Sequence, residues 1–332
     1  MCEVATHIDV RSKNELTLNQ RDPSRTTSLR IAFIREVTRR FKDLTRVITK
    51  AIVEEDVFGM MNPTTVTILA GMITPGRRRF DFPRTSQKVS AFMDWLHRQV
   101  EAGILDIREF SQVGESVEAA WTNLYINDSY KRGVARARVQ LREAGIDVAT
   151  IEDSGGLVAI LGTPFHVDRV GLLYTRAFGE LRGITAVMEQ HISRILAGGL
   201  AEGLGPQVLA RMLNHSISGL GSTLGLPISY INPRTGKLVN YFMPPLRRAQ
   251  ILARTEIIRA HAEGQLQEFK NWGILGVSVK AEWVTAGDAR VCADCAANEG
   301  SVYTIEEAIG LIPLHPQCRC IWVPLDITGR NV

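Results

Sequence analysis

Near its C-terminal end the chain reads Cys292-Ala-Asp-Cys295 and then, after a spacer, His315-Pro-Gln-Cys318-Arg-Cys320. Four of the five cysteines therefore sit in two tight clusters, with a histidine beside the second. Two thiols separated by two residues can bend around one ion, and a second cluster about 20 residues on can close a tetrahedron. In an extended Cys318-Arg319-Cys320 segment both thiols point to one side and Arg319 to the other. Pro316 bends the chain enough for His315 to reach the same ion. Cys292, Cys295, His315, Cys318 and Cys320 are thus five candidate ligands for four positions. The histidine either ligates or supports a thiolate from behind. Four protein ligands close the shell, which describes a structural site with no position for substrate, and Zn2+ is the default ion for these donors. The short strands expected around the clusters are too few to hold themselves, so a bound ion would supply most of that module's folding free energy.

The 332 residues can build two or three domains with real cores. A content of 45% hydrophobic and 22% charged residues is that of a globular chain and excludes wholesale disorder. The net charge of +4 permits an acidic partner without requiring one. The amino terminus has early acids and no apolar run after a basic start, so no secretory signal is expected. No stretch approaches the roughly 20 apolar residues of a membrane span. Synthesis in a reducing cytoplasm follows, where clustered cysteines favour metal over disulfide. Cys2, far from the clusters, reads as a bystander.

The expected fold class is mainly α in the N-terminal and central regions, with a small α+β, zinc-stapled C-terminal module. Residues 1–26 read as a flexible arm and 27–150 as a helical N-terminal domain. Within the latter, Phe33, Val37, Phe41, Leu44, Val47, Ile48 and Ile52 form one helical stripe. Arg35, Arg39, Lys42 and Arg46 fall mostly away from it, either a solvated face or a handle for an acidic partner. Arg77, Arg78 and Arg79, in a Pro/Gly-rich loop, are further candidates for phosphate or partner contact. A helix carrying Val89, Phe92, Met93, Leu96 and Val100 should follow. Another, over 115–142, should place Leu124, Val134 and Leu141 inside, with Gly145 as its stop. The glycine-rich run 151–164 reads as a linker or short buried turn, without the lysine and hydroxyl of a phosphate loop.

Residues 165–245 read as a long-helix region with a β-hairpin at about 230–242, turning at Asn232-Pro-Arg-Thr-Gly236. Its first helix carries Tyr174, Phe178, Leu181, Ile184, Met188, Ile192 and Ile195, with His191 beside the stripe and Gly198-Gly199 as its end. The next carries Val208, Leu209, Met212 and Leu213. In the C-terminal module, 246–325, a helix over 246–269 precedes a strand over 276–285. A brief helix capped by Thr304 and Glu307 then separates the cysteine clusters. Arg254-Thr-Glu256 reads as a helical charge pair.

One enzymatic alternative has the right order of residues. His261-Ala-Glu263 precedes Cys292-Ala-Asp-Cys295, as in the zinc-deaminase signature of H-x-E followed by P-C-x-x-C. Val291 stands where that signature has proline. His261 falls mid-helix, where residues two apart point about 200° from each other. This reading also leaves His315, Cys318 and Cys320 without a role, and His261 alone is more simply a helix-surface histidine. No nucleophile elbow, HExxH or Walker motif is present.

The C-terminal part resembles the Mu F-like minor head proteins, or head morphogenesis proteins, of tailed bacteriophages. The resemblance rests on Ala253-Arg-Thr-Glu256, Trp283-Val-Thr-Ala-Gly-Asp288-Ala-Arg-Val-Cys292-Ala-Asp-Cys295, Gly300, Tyr303 and His315-Pro-Gln-Cys318-Arg-Cys320 before Pro324. With the helix from Tyr174 and Gly199-Leu-Ala-Glu-Gly203 it covers about residues 165–325. It implies a virion protein without catalytic activity, made in the host cytoplasm and placed in the capsid interior or at the portal vertex. Its implied partners are the portal protein and capsid components, with contact to packaged or ejected double-stranded DNA left open. No membrane and no small-molecule substrate is implied. Residues 1–150 lie outside the resemblance.

Overall fold

The computed structural model describes residues 22–61, 79–105, 121–219, 226–231, 238–274 and 278–328. Arg77, Arg78, most of the expected arm and the hairpin tip at 232–237 lie outside them. The chain is mainly helical with a small antiparallel sheet near its C-terminal end, as expected. Helix α1 (Thr27–Thr49) continues into a π-helical turn (Lys50–Glu54), and α2 (Thr85–Gln99) does the same (Val100–Ile104). There follow α3 (Trp121–Glu143), α4 (Gly156–Leu161), α5 (Pro164–Ala201), α6 (Pro206–Ser218) and the hairpin β1 (Leu226–Ile231) with β2 (Leu238–Met243). The last part comprises α7 (Pro245–Ile274), β3 (Ser278–Val284), α8 (Ala293–Ala297), β4 (Val302–Tyr303), α9 (Ile305–Ala308) and β5 (Ile321–Thr328).

The apolar stripes account for the helices, with four corrections. On α1, Phe33, Val37, Phe41, Leu44 and Ile48 are buried, while Val47 is half-buried. On α3, Val134 and Leu141 are fully buried, but Leu124 is 59% exposed. The inward face of α3 runs through Ile126, Tyr130, Val134, Ala137 and Leu141, and Leu124 lies some 200° round from Ile126. The 151–164 run forms the short helix α4, whose Ile160 enters a core with Tyr130 and Tyr174. Helix α5 passes through Gly198-Gly199 and stops at Gly203 (φ +68°), where Leu204 N–H donates back to Gly199 O. Only a residue free to take positive φ ends a helix this way, so Gly203 is the stop. On α6, Leu209 and Leu213 are buried while Val208 and Met212 are exposed, so half of that expected stripe faces out.

The chain forms two compact units, each drawn from segments far apart in sequence. One contains residues 35–113 and 178–250. Its aromatic centre packs Phe92 against Phe58 (centroids 5.3 Å apart), Phe80 (5.9 Å) and Trp95 (5.1 Å). Arg40 donates to the Ile104 carbonyl at the end of the second π-helical turn. The exposed side of α1 in this unit carries Arg35, Arg39, Lys42 and Arg46, and its acids partner two of them. Arg39 binds Glu36 and Asp43, and Arg46 binds Asp43. Strands β1 and β2 pair antiparallel over six residues, Leu226↔Met243 to Ile231↔Leu238, slightly longer than the expected hairpin.

The other unit contains residues 1–34, 114–177 and 251–332. Its frame is a close crossing of α3 and α7. A Cβ on Gly133 would collide with the His261 carbonyl oxygen, and one on Gly264 would lie 2.5 Å from the Tyr130 carbonyl oxygen. Glycines on both sides let the two backbones touch, and Ser129 Oγ donates to Ile257 O at 2.6 Å across the same contact. Helix α5 runs antiparallel to α7, and an ion-pair ladder records it: Arg169–Glu263 and, one heptad along, Arg176–Glu256 at 3.5 Å. Deeper, Glu268 accepts from Arg138 Nε (2.7 Å) and Trp272 Nε1 (2.9 Å), while His166 bridges Glu268 and the Tyr130 hydroxyl. Arg138 and His166 hold the Glu268 carboxyl below its usual range despite burial.

The sheet has the order β4-β3-β5 and is antiparallel. Val279, Ala281 and Trp283 on β3 point into the core, as their alternation requires. Trp283 and Trp322 meet edge to face at 5.4 Å, and Tyr303 does the same against Trp322 at 5.7 Å. The outer side of β5 is clasped by one side chain. The Gln265 amide donates to Trp322 O (2.8 Å) and accepts from Trp322 N (3.3 Å), standing in for a neighbouring strand. Two residues on, Pro324 faces the same side and has no N–H to offer.

Alanine in place of a mid-helix glycine ordinarily stabilises by about 1 kcal/mol. Gly133→Ala and Gly264→Ala are expected to do the reverse, lowering stability by about 1–3 kcal/mol because the crossing must part. Urea denaturation of both variants beside Gly171→Ala, where the added methyl meets open space, checks the sign.

Candidate metal centre

The two cysteine clusters arrive on different supports. Cys292 is the N-cap of α8, and its sulfur accepts from the Cys295 N–H at 3.4 Å, the bend expected of a two-residue spacing. The second cluster leaves α9 through Leu311 and enters β5 at Ile321. His315 O accepts from Cys318 N, and Gln317 takes positive φ (+66°) to make the turn. Helix α7 pins this loop: Thr255 Oγ1 accepts from Gln317 N at 3.1 Å, and Arg254 donates to Gln317 Oε1 at 2.7 Å. The Arg254-Thr-Glu256 triplet does more than carry charge. Two of its members hold the loop, and Glu256 pairs with Arg176 and Arg259.

All five candidate donors gather around Cys295. Ligand atoms of Cys292, Cys295 and His315 lie within 4.8 Å of one another, and so do those of Cys295, Cys318 and Cys320. His315 Nε2 is 3.1 Å from the sulfurs of both Cys292 and Cys295. Its Nδ1 lies 2.8 Å from Pro316 O, which can only accept, so Nδ1 carries the proton and Nε2 presents its lone pair to the sulfurs. Cys295 and Cys318 sulfurs are 3.8 Å apart, which is the edge of a tetrahedron with metal–sulfur bonds of about 2.3 Å. A metal–nitrogen bond of about 2.0 Å needs an edge of about 3.5 Å, so the imidazole must withdraw by a few tenths of an ångström.

Charge also favours a cation here. Cys295, Cys318 and Cys320 are buried and Cys292 half-buried. The hydrogen bond from Cys320 pulls the Cys318 thiol down to about 5. Burial and the Cys318 charge push Cys295 up to about 12, and donation to Cys318 raises Cys320 as well. The opposed shifts mark sulfurs packed too closely for all of them to ionise without a cation. A divalent ion would ionise them outright and release their protons. The residues present fit a four-coordinate thiophilic ion.

Beside the cluster stands a clamp that sequence reasoning did not single out. Asp288 Oδ1 and Oδ2 accept from both arms of the Arg319 guanidinium, at 2.5 and 2.8 Å. Asp288 also accepts from Arg290 NH2 at 2.7 Å and from the Arg290 backbone N–H at 3.0 Å. These bonds hold its carboxyl below the usual range. The visible signal was the side switch in Cys318-Arg319-Cys320, which turns Arg319 away from the sulfurs and toward whatever lies behind.

His261 and Glu263 belong to neither donor group. His261 is 1% exposed inside the α3–α7 crossing, a correction to its expected surface position. The crossing glycines draw that face of α7 inward, and its apolar periodicity did not reveal them. Glu263 is held by Arg169. Arg79 is exposed, as are Arg35 and Lys42 on α1.

The arrangement is a Cys/His cluster beside a small sheet, with its second loop pinned to a long helix. Residues 190–323 match the family model described as Phage Mu protein F like protein. Over that span the match agrees with the resemblance read from the sequence. No curated protein and no solved structure matches the chain significantly. Among the described residues, no helix is long and apolar enough to cross a membrane.

Burial lowers the His261 pKa from 6.5 to about 4. Between those values the unfolded chain binds more protons than the folded one, so stability falls as pH falls through this window. The loss amounts to about 2 kcal/mol between pH 7.5 and pH 5. Chemical denaturation at the two pH values should show this difference for the wild type and a smaller one for His261→Gln.

Proposed function

We propose that this chain is a minor head protein of a tailed phage, acting in head morphogenesis at the portal vertex, with its C-terminal module stapled by a structural zinc ion. The observation that carries this reading is the span of the family match. Residues 190–323 enclose the whole Cys/His cluster, Asp288, and the helix α7 that pins the cluster loop. The zinc, when bound, supplies a fixed fourfold crosslink. The protein's own residues do the rest: His315 and the cysteines present donors, Thr255 and Arg254 fix the loop, and Gln265 seats the sheet on α7. The partners are the portal protein and other head components, in the virion.

The enzymatic alternative draws little support. A deaminase needs His261 on the ion with Glu263 beside it, whereas His261 sits inside the helix crossing and Glu263 in an ion pair. DNA contact through α1 is not favoured either, because Glu36 and Asp43 partner Arg39 and Arg46. That pattern suits a solvated or protein-facing surface better than one that neutralises phosphates.

Two experiments test the reading. Elemental analysis should find about one zinc per chain in the wild type and in His261→Ala, and little in Cys318→Ser. The opposite pattern would establish the open, enzymatic site. Co-purification with the portal protein is expected for the full chain; a chain that binds neither portal nor capsid shell would overturn the assembly role.

A further inference from the structure

The ligand set comes in two halves that share no secondary-structure element. Cys292 and Cys295 follow the loop after β3, and His315, Cys318 and Cys320 follow α9. For one ion to be held, these halves must meet in register. Covalent continuity does not ensure that, because 19 residues separate Cys295 from His315. Asp288 stands four residues before Cys292, and its carboxylate grips the residue between Cys318 and Cys320 with two parallel bonds. The same carboxylate, through the Arg290 N–H, fixes the turn that leads into Cys292, where Val291 N–H also donates to Asp288 O at 3.0 Å.

We infer that Asp288 is the positioning residue of the metal centre: paired in two-pronged fashion with Arg319, it locks the two halves of the donor set together before the ion arrives. This rests on the metal reading given above. The clamp geometry is specific. A carboxylate facing a planar guanidinium fixes both distance and orientation, which a lysine ammonium does not. Preorganisation of this kind raises affinity because the ordering cost is met in the metal-free fold.

A field effect would act in the opposite direction. Asp288 is a negative charge beside sulfurs that become thiolates on binding, so its charge alone disfavours the loaded state. Removing that charge should tighten binding if the field dominates and weaken it if the clamp dominates. The sign of one measurement therefore decides between them.

The experiment is a zinc titration of the full chain against a chromogenic chelator, with wild type, Asp288→Asn and Arg319→Lys compared. Supports of metal ligands typically contribute 10–100-fold in affinity. We expect a loss of about that size for both variants, with the tetrahedral charge-transfer bands retained on Co2+ loading. Arg319→Lys keeps a positive charge at this half-buried position, so it guards against misfolding of the other variant. Unchanged or tighter binding in both variants would overturn the clamp while leaving the metal site standing. A wild type that takes up no zinc would overturn the metal reading and the clamp with it.

Discussion

Everything in the C-terminal unit hangs on the contact of two backbones at Gly133 and Gly264. With no side chain between them, α3 and α7 approach closely enough for Ser129 to reach the Ile257 carbonyl. The approach buries one face of α7 entirely, so polar residues on it have to find partners within the protein. Glu263 and Glu268 do so through arginines of α5 and α3, and Gln265 does so through Gln140 and the backbone of Trp322. The ion-pair ladder and the sheet clasp follow from that one steric permission. Helix α7 thus serves as the axle of the unit, carrying charge pairs on one side and the sheet and metal loop on another.

The metal centre depends on this axle at one remove. Thr255 and Arg254 lie two turns before His261 on α7 and hold Gln317, whose left-handed backbone turns the chain between His315 and Cys318. An ion would therefore join a loop fixed to α7, a knuckle fixed to β3, and the strand β5 that Gln265 ties back to α7. Structural metal sites of this type contribute to folding directly. Here the ion would close a circuit whose other three sides are already hydrogen-bonded.

Periodicity made the helices legible, since Phe33 to Ile48 and Tyr174 to Ile195 bury the face that their spacing demands. It failed where a single position decides the outcome. Leu124 is apolar yet faces out, and Gly198-Gly199 resembles a stop yet lies inside α5, because the capping geometry belongs to Gly203. The clustering of cysteines announced a candidate ligand set, because two-residue spacing has few other uses in a reducing environment. The clamp of Asp288 on Arg319 and the clasp of Gln265 on Trp322 join residues 31 and 57 positions apart. No local pattern encodes such pairs. His261 was misplaced for the same reason: what buries it is a glycine 128 residues earlier.

The edge of β5 has a consequence for how this protein tolerates crowding. A strand with open N–H and C=O groups is a template on which another chain can grow a sheet. At Trp322 those groups are already taken by the Gln265 amide, and at Pro324 the outward donor does not exist. At the opposite side, β4 is only two residues long. A three-stranded sheet this small would otherwise invite strand exchange between copies. Blunted at Trp322 and Pro324 on one flank and short on the other, it leaves little regular edge for a foreign strand to extend.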